Sequence, residues 1–259
     1  MKYYIFGDNK RSEYLKRLYI NDLCLDYKKA DVIITPIPFT RDNIYLTDEN
    51  ILIDEVLNLE NKIIFTSLTN NKFVFKSKVY DIMKIESLAI LNAIATSEGA
   101  IYTAIKNSEI NLCGENVLVM GYGRIGKVLS SMLKGIGSIV YVEARSKVDL
   151  ATIDSLGYNK IELSNLYENI DKFKYIFNTI PVKLLDKNIL DKVDKDCLVI
   201  DLASNPGGCD FEYAHKKNIK TVWALSLPAK VSPKISAVYI KNEIDNIINN
   251  NINNFNIGG

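Results

Sequence analysis

Three glycines form the pattern whose spacing most clearly indicates chemistry. The run reads Gly121, Tyr122, Gly123, Arg124, Ile125 and Gly126. It directly follows an apolar stretch typical of a β-strand, residues 117–120, and it opens a helical pattern that continues to residue 133. In that context the first glycine permits a tight turn, the second lets backbone approach a diphosphate, and the third lets the helix pack on the strand. We therefore expect N–H groups at the start of this helix to bind a dinucleotide diphosphate.

The end of the next predicted strand determines which dinucleotide fits. If Glu143 points towards the adenosine ribose, its carboxylate binds the ribose hydroxyls and the cofactor is NAD. If the apolar alternation of this strand instead continues to Ala144, then Arg145 and Ser146 face a 2′-phosphate and the cofactor is NADP. A guanidinium matches a phosphate in charge and in bidentate geometry. The pattern favours NADP, with NAD as the alternative.

Polar residues follow two further predicted strands of this unit, residues 175–178 and 198–202. Because ligands bind at the carboxyl ends of parallel strands, we expect both segments to lie beside the nicotinamide. The candidates for catalysis here are Asn178, Thr179, Asp201 and Ser204. The candidates for cofactor contact are Asn178, Thr179, Ile180 and Pro181. We expect Gly207 and Gly208 to present N–H groups to a substrate carboxylate, although Asp201 fits a structural role equally well.

A long helical pattern, residues 85–105, contains Gly99, where we expect a break or a kink. A new helix start at this point would offer N–H groups to a substrate carboxylate. The candidates for substrate binding on this helix are Asn92, Thr96 and Ser97. Glu98 is a candidate proton acceptor, and a capping or solvent-facing role fits it as well.

The sequence contains five arginines and one histidine. Arg11 follows the first predicted strand and is the arginine best placed to bind a substrate carboxylate. Thr35, at the end of the second predicted strand, is a candidate to add a hydroxyl. His215 lies in a short helical pattern beside two lysines, so we expect it on the surface. A 2-hydroxy-acid dehydrogenase needs a histidine base, and this composition therefore argues against that activity.

The elements that position these residues form two α/β units. Strands alternate with helices in the first third of the chain and again over residues 110–225, which predicts parallel sheets. We expect a Rossmann-type dinucleotide-binding domain at residues 91–229. A smaller, flavodoxin-like substrate domain is expected at residues 1–90 with a C-terminal helix at 230–250, the two domains being linked by long helices. The asparagine-rich residues 250–259 are typical of a mobile tail.

Charge and cysteine spacing exclude several classes of protein. The 259 residues carry 32 basic and 31 acidic side chains, a balance that argues against a nucleic-acid or membrane-surface protein. No run of apolar residues reaches the roughly 20 needed for a membrane span. The four cysteines lie far apart in the sequence, so we expect neither a metal site nor a redox pair. We interpret them as free thiols of a reducing cytoplasm.

Six segments resemble the A subunit of the dipicolinate synthases of spore-forming bacteria. They are residues 92–100 (NAIATSEGA), 117–127 (VLVMGYGRIGK), 143–146 (EARS), 178–181 (NTIP), 201–211 (DLASNPGGCDF) and 227–234 (LPAKVSPK). The last two are the more specific, and the resemblance is good over residues 85–245. Ala229 departs from the pattern, because the family usually has glycine at this position.

The resemblance implies an NADP-linked dehydrogenase component that makes pyridine-2,6-dicarboxylate from a small dicarboxylate, dihydrodipicolinate, in the cytoplasm of the mother cell of a sporulating bacterium. It also implies an oligomer with a flavoprotein-like B subunit. Two alternatives remain open on the residues. One is an amino- or hydroxy-acid dehydrogenase with the same two-domain plan, and the other is a nucleotide-sensing regulatory module.

Overall fold

Ten short strands form the framework of a computed structural model that describes residues 1–68 and 72–256, the side chains of 251–256 excepted. The strands are β1 (Tyr3–Ile5), β2 (Val32–Ile34), β3 (Ile63–Thr66), β4 (Lys78–Asp81), β5 (Asn116–Met120), β6 (Ile139–Glu143), β7 (Asn159–Ile161), β8 (Tyr175–Asn178), β9 (Leu198–Asp201) and β10 (Lys220–Trp223). The α-helices are α1 (Lys10–Leu18), α2 (Ile53–Leu57), α3 (Glu86–Asn107), α4 (Arg124–Ile136), α5 (Lys147–Ser155), α6 (Lys187–Leu190), α7 (Phe211–Lys216), α8 (Leu227–Val231) and α9 (Pro233–Asn256).

The chain divides into two units. The first comprises Met1–Asn92 and Ser232–Gly259, and the second comprises Ala93–Val231. The first division therefore falls inside α3, and the second falls just before α9.

The first unit contains a parallel sheet in the order β1-β2-β3-β4. An isolated parallel bridge joins Tyr3 to Leu23, and it lies on the edge of β1 opposite β2. With that bridge counted as a rudimentary strand, the order becomes 2-1-3-4-5, as in flavodoxin-like sheets. The alternation within β2 explains its central place, since Val32 and Ile34 enter one core and Ile33 enters the other.

Helix α9 completes the core of the first unit. Its residues Ala237, Ile240 and Ile244 are at most 2% exposed, and they pack in one cluster with Leu15 of α1. This helix extends to Asn256, beyond the expected end at residue 250. Residues 257–259 of the expected tail lie outside the described residues.

The second unit contains a six-stranded parallel sheet in the order β10-β9-β8-β5-β6-β7. Counted from β5 this is the order 3-2-1-4-5-6 of dinucleotide-binding folds, with the reversal between β5 and β8. Both faces of the sheet are covered, because Val117 and Val119 enter one core while Leu118 and Met120 enter the other. Two strands were not predicted from the sequence, β4 and β7, and each is short and partly exposed.

Helix α3 is continuous, so the break expected at residues 96–99 is wrong. Gly99 meets a packing requirement instead, since a Cβ at this position would lie 2.9 Å from Cβ of Leu227. The helix is also long and apolar enough, by length and composition alone, to cross a membrane. Buried residues on it, among them Leu88, Ala100 and Ala104, pack in the cores of the two units.

Candidate dinucleotide-binding site

The turn between β5 and α4 has the geometry of a diphosphate cradle. Gly121 adopts φ +91°, and a Cβ there would lie 2.6 Å from Oγ1 of Thr179. A Cβ on Gly126 would collide with the carbonyl oxygen of Gly121, so the third glycine lets α4 begin close against the strand. Gly123 is the N-cap of α4, and among the described residues no side chain caps this helix.

The space above Gly123 is open. Apart from Gly123 itself and its two neighbours in the chain, no described atom lies within 4 Å of the position that a Cβ of Gly123 would take. A helix N-terminus without a side-chain cap, reached through backbone without a Cβ, is suited to a diphosphate. The residues present therefore fit a dinucleotide.

The other three residues of the run differ in how they can contribute. Tyr122 is 8% exposed and its ring packs in the core between the sheet and α4, which raises the pKa of its hydroxyl through burial. Its expected contact with a cofactor is therefore restricted to backbone. Arg124 is exposed, and Ile125 is half-buried against the same core.

The end of β6 adopts the arrangement in which the apolar alternation continues to Ala144, and not the one in which Glu143 points towards the ribose. Val140, Val142 and Ala144 belong to one core cluster, so the apolar alternation continues through Ala144. Arg145 and Ser146, the next two residues, are both exposed.

Glu143 faces away from that cluster and is fully buried. Its Oε2 accepts a hydrogen bond from the backbone N–H of Gly121 at 3.2 Å. A ribose has no access to this carboxyl group, because no part of Glu143 is exposed. The Oγ of Ser146, which is the N-cap of α5, accepts from the N–H of Asp149 at 3.4 Å and keeps its own proton for a ligand.

Asn178 and Asp201 lie side by side at the ends of β8 and β9, but neither can touch a substrate. Both are fully buried, and Nδ2 of Asn178 donates to Oδ1 of Asp201 at 2.8 Å. The other carboxylate oxygen of Asp201 accepts from the N–H of Gly208 at 2.6 Å. The expectation that these two side chains are catalytic is therefore corrected to a positioning role for the strand ends.

The loop after β9 is held by the same carboxylate. The N–H of Gly208 is used by Asp201, and the N–H of Gly207 donates to the carbonyl oxygen of Ser204 at 2.8 Å. Neither glycine N–H is available to a substrate carboxylate, so this expectation is wrong. Ser204 itself is exposed and remains a candidate.

The segment after β8 lies against the cradle. The hydroxyl of Thr179 donates to the carbonyl oxygen of Met120 at 2.8 Å, which joins the ends of β8 and β5. A Cβ on Gly121 would also meet Ile180, at 2.9 Å from Cγ1, so Ile180 packs directly behind the turn. Pro181 is exposed.

The candidates on α3 do not form one group. Asn92 and Thr96 are one turn apart and share a face of the continuous helix, whereas Glu98 lies about 200° around the axis from Thr96. Ser97 is fully buried, and its hydroxyl donates to the carbonyl oxygen of Ala93 at 2.8 Å. The expected role of Ser97 in substrate binding is therefore wrong, and Glu98 is exposed away from Asn92 and Thr96.

The structure brings Arg11 and Thr35 together in the first unit. Both line a small pocket whose other walls are mostly apolar and include Phe6 and Ile240. Thr35 is buried, and its Oγ1 lies 2.9 Å from Oγ1 of Thr66, a partner that was not predicted from the sequence. Thr66 also stands at the end of a strand, next to that of Thr35, and this position could have indicated the pairing.

Arg11 makes neither a hydrogen bond nor an ion pair with any residue in the described ranges, and it is half-buried. Burial lowers the pKa of its guanidinium to about 10. His215 is exposed on α7, as predicted. Across residues 1–68 and 72–256, no three His, Cys, Asp or Glu side chains are grouped to hold a metal ion.

These features define a class of protein. A parallel sheet in this order, with a glycine cradle where the order reverses, is the dinucleotide-binding fold of dehydrogenases, here preceded by a second α/β unit. The transhydrogenase of Sinorhizobium meliloti shares the fold at a TM-score of 0.69, with 17% identity over 90% of this chain and 79% of that chain. No family model matches the chain.

Sequence comparison gives the particular family. The chain is 30% identical to the A subunit of dipicolinate synthase from Bacillus subtilis (strain 168) over 236 residues, which cover 86% of this chain and 80% of that protein. It belongs to the family of dipicolinate synthase A subunits. The crystal structure of the A subunit from Bacillus halodurans matches at a TM-score of 0.86 and 25% identity, over 95% of this chain and 97% of that one. The crystal structure of the A chain from Bacillus subtilis matches at a TM-score of 0.84 and 26% identity, over 96% of each chain.

Proposed function

We propose that this chain is the dehydrogenase component of a dipicolinate synthase, which oxidises dihydrodipicolinate to dipicolinate, pyridine-2,6-dicarboxylate, with NADP. The observation that carries the proposal is an intact diphosphate cradle, Gly121 to Gly126, in a member of this family. The cellular location that goes with this function is the cytoplasm of the mother cell in a sporulating bacterium.

The reaction fits the side chains that are present. Oxidation of the dihydropyridine removes a hydride and a proton and leaves an aromatic ring. Bound NADP supplies the hydride acceptor, and the proton passes to water. No alcohol has to be deprotonated, so no histidine base is required. The exposed position of His215 on α7 is consistent with this chemistry.

The register of β6 supports NADP over NAD. The position that would hold an acidic residue for ribose hydroxyls is taken by Ala144, while the carboxyl group of the preceding residue, Glu143, is buried beneath the turn. Arg145 and Ser146 are exposed directly after it, with a guanidinium and a hydroxyl for a 2′-phosphate.

Arg11 is the group we assign to one carboxylate of the substrate. A cation in a mostly apolar pocket without a counter-charge is unfavourable, and an incoming carboxylate relieves that cost. Two other arginines already have partners, since Arg17 stacks on Tyr14 at 5.4 Å and Arg41 pairs with Asp48 at 3.0 Å.

The relatives are named as one lettered component of a synthase, which supports a complex with a second component, and for this we propose the flavoprotein-like B subunit. The test is reconstitution. Dihydrodipicolinate is generated in place from aspartate semialdehyde and pyruvate by its synthase, and this chain is added with NADP, with and without the B subunit. We expect NADPH and dipicolinate to appear in equal amounts when both proteins are present.

The Gly123→Ala variant is the matched negative control, because it fills the cradle and leaves the rest of the site unchanged. NADP is kept below its dissociation constant for the wild type, so that a loss of affinity lowers the rate. NADPH formation by that variant at the wild-type rate would then contradict the proposal, and so would the absence of NADPH when the wild-type chain and the B subunit are both present. If the wild-type chain instead reduced NADP with an amino or hydroxy acid and not with dihydrodipicolinate, the chain would be an amino- or hydroxy-acid dehydrogenase and the proposal would be wrong.

A further inference from the structure

The carboxyl group of Glu143 is buried directly beneath the first glycine of the cradle. Glu143 is the last residue of β6 and pairs with Met120 of β5 in the sheet. The N–H of Gly121 donates both to the carbonyl oxygen of Glu143, at 3.1 Å, and to its Oε2, at 3.2 Å. One N–H at the turn is thus held by the backbone and by the side chain of the same residue.

The other carboxyl oxygen of Glu143 has no hydrogen-bond partner among the described residues. Its Oε1 is buried and makes no hydrogen bond within the part of the chain that the structure describes. A buried polar atom without a partner is unfavourable, and an apolar side chain of similar size at this position would avoid that cost. Packing alone therefore does not explain a glutamate here.

Among the described residues, Arg145 is the charged group that acts on Glu143. Across the sheet on β7 its register partner is Ile161, which is apolar. Burial raises the pKa of the Glu143 carboxyl group, and the Gly121 N–H and the guanidinium of Arg145 act in the opposite direction. A neutral carboxyl group still offers an oxygen to Gly121, and it places no negative charge beside the phosphates of a dinucleotide.

We infer that Glu143 is a positioning residue for the dinucleotide: it fixes the turn at Gly121, at φ +91°, from the side opposite the ligand. The inference rests on the proposed function only in that the cradle binds a dinucleotide. Because Glu143 supports the turn that holds the diphosphate, it acts equally on NADP and NAD. This distinguishes it from Arg145, which acts on the 2′-phosphate. Ionisation of Glu143 weakens binding through repulsion of the phosphates.

The test measures the dissociation constants of NADP and NAD by calorimetry for the full-length wild type and for two variants. Glu143→Leu removes the side-chain acceptor, leaves the backbone acceptor in place and keeps the volume. Glu143→Gln keeps a side-chain acceptor oxygen without a titrating group. We expect Glu143→Leu to weaken both cofactors by a similar factor, about tenfold, with no fall in melting temperature. Glu143→Gln should bind both cofactors with an affinity close to that of the wild type. We expect wild-type binding to weaken as the pH rises, and Glu143→Gln should not show this pH dependence.

Binding of both cofactors by Glu143→Leu with wild-type affinity would overturn the inference and leave the proposed function intact. A loss confined to NADP would overturn it as well, because it would assign Glu143 to the 2′-phosphate. If Glu143→Leu does not fold, the pH profiles of the wild type and Glu143→Gln decide, and parallel profiles reject the inference. Failure of the wild type to bind either dinucleotide would overturn the inference together with the proposed function.

Discussion

Asn178 and Asp201 are register partners on adjacent strands, and their side chains are joined by a hydrogen bond of 2.8 Å inside the protein. Asp201 also accepts from the N–H groups of Ala203, at 3.0 Å, and Gly208, at 2.6 Å. One buried carboxylate thus fixes the end of β8 and both ends of the loop after β9. Both side chains are fully buried, so their polar groups bind the ends of the strands and not solvent.

Replacing Asp201 by alanine should destabilise the protein, because three buried donors lose their acceptor at a cost of about 1–3 kcal/mol each. We expect a marked fall in the free energy of unfolding measured by urea titration. Asp196→Ala, which removes an exposed carboxylate of the same segment, should have little effect. Equal stability of the two variants would show that the Asp201 network is not required.

Gly123→Ala tests the cradle without disturbing the fold. A methyl group there meets no described atom beyond the adjacent residues, so the melting temperature should stay near that of the wild type. NADP affinity should fall about tenfold or more, because the methyl occupies the diphosphate position. Gly135→Ala, in the same helix and equally open, is the matched control and should bind normally. Calorimetric titration checks both, and unchanged NADP binding by Gly123→Ala would place the diphosphate elsewhere.

Arg145→Ala should separate the two cofactors. A charge-assisted hydrogen bond contributes about 1.5–3 kcal/mol, so we expect NADP to bind about ten- to a hundredfold more weakly and NAD to change little. Arg17→Ala removes the same charge from α1 and should leave both dissociation constants unchanged. Equal losses for NADP and NAD in Arg145→Ala would exclude a contact with the 2′-phosphate.

Arg11→Met should raise the KM for the dicarboxylate about tenfold or more without lowering the melting temperature, since methionine fills the pocket and removes an uncompensated cation. The KM for NADP should stay constant, because the cradle is untouched. Steady-state kinetics of the reconstituted complex checks both constants, with Arg17→Met as the control. A wild-type KM for the dicarboxylate would remove Arg11 from the substrate site.

The raised pKa of Glu143 has a defined effect on stability. Because burial lifts its pKa in the folded protein above the ordinary value of 4.5, the folded state holds this proton at a pH where the unfolded chain has lost it. The free energy of unfolding therefore falls as pH rises from that value through the folded pKa. Denaturant titrations of Glu143→Gln should lack this part of the pH dependence, and identical slopes for the two proteins would contradict the shift.

Local patterns predicted the elements that carry the cradle, because the turn at Gly121 and the register of β6 are set by residues close in sequence. The role of Gly99 was not predictable in this way. Because Gly99 has no side chain, Leu227, more than a hundred residues further along the chain, can pack against it. A glycine within a helical pattern, judged from its sequence neighbours alone, predicts a break.

The same limit applies to polar residues at strand ends. The alternation of strands and helices predicted that the ends of β8 and β9 lie at the same edge of the sheet, and there Asn178 and Asp201 are register partners. Whether such side chains face a ligand or each other depends on burial, which sequence spacing does not determine. The buried hydrogen bond between Glu143 and the turn was not predicted for the same reason, since the sequence only favoured continuation of the apolar alternation to Ala144 over a Glu143 that faces the ribose.

The position of Cys113 gives the protein a native attachment point for a reporter group. Of the four thiols, those of Cys197 and Cys209 are buried, which raises their pKa values, and Cys24 is half-buried, whereas Cys113 is exposed. Its sulfur lies against Gly137, which ends α4. The 13 residues of that helix separate it from the cradle by about 20 Å. A maleimide dye on this sulfur that absorbs where the dihydronicotinamide emits would report binding of NADPH by energy transfer, without engineering and without touching the ligand.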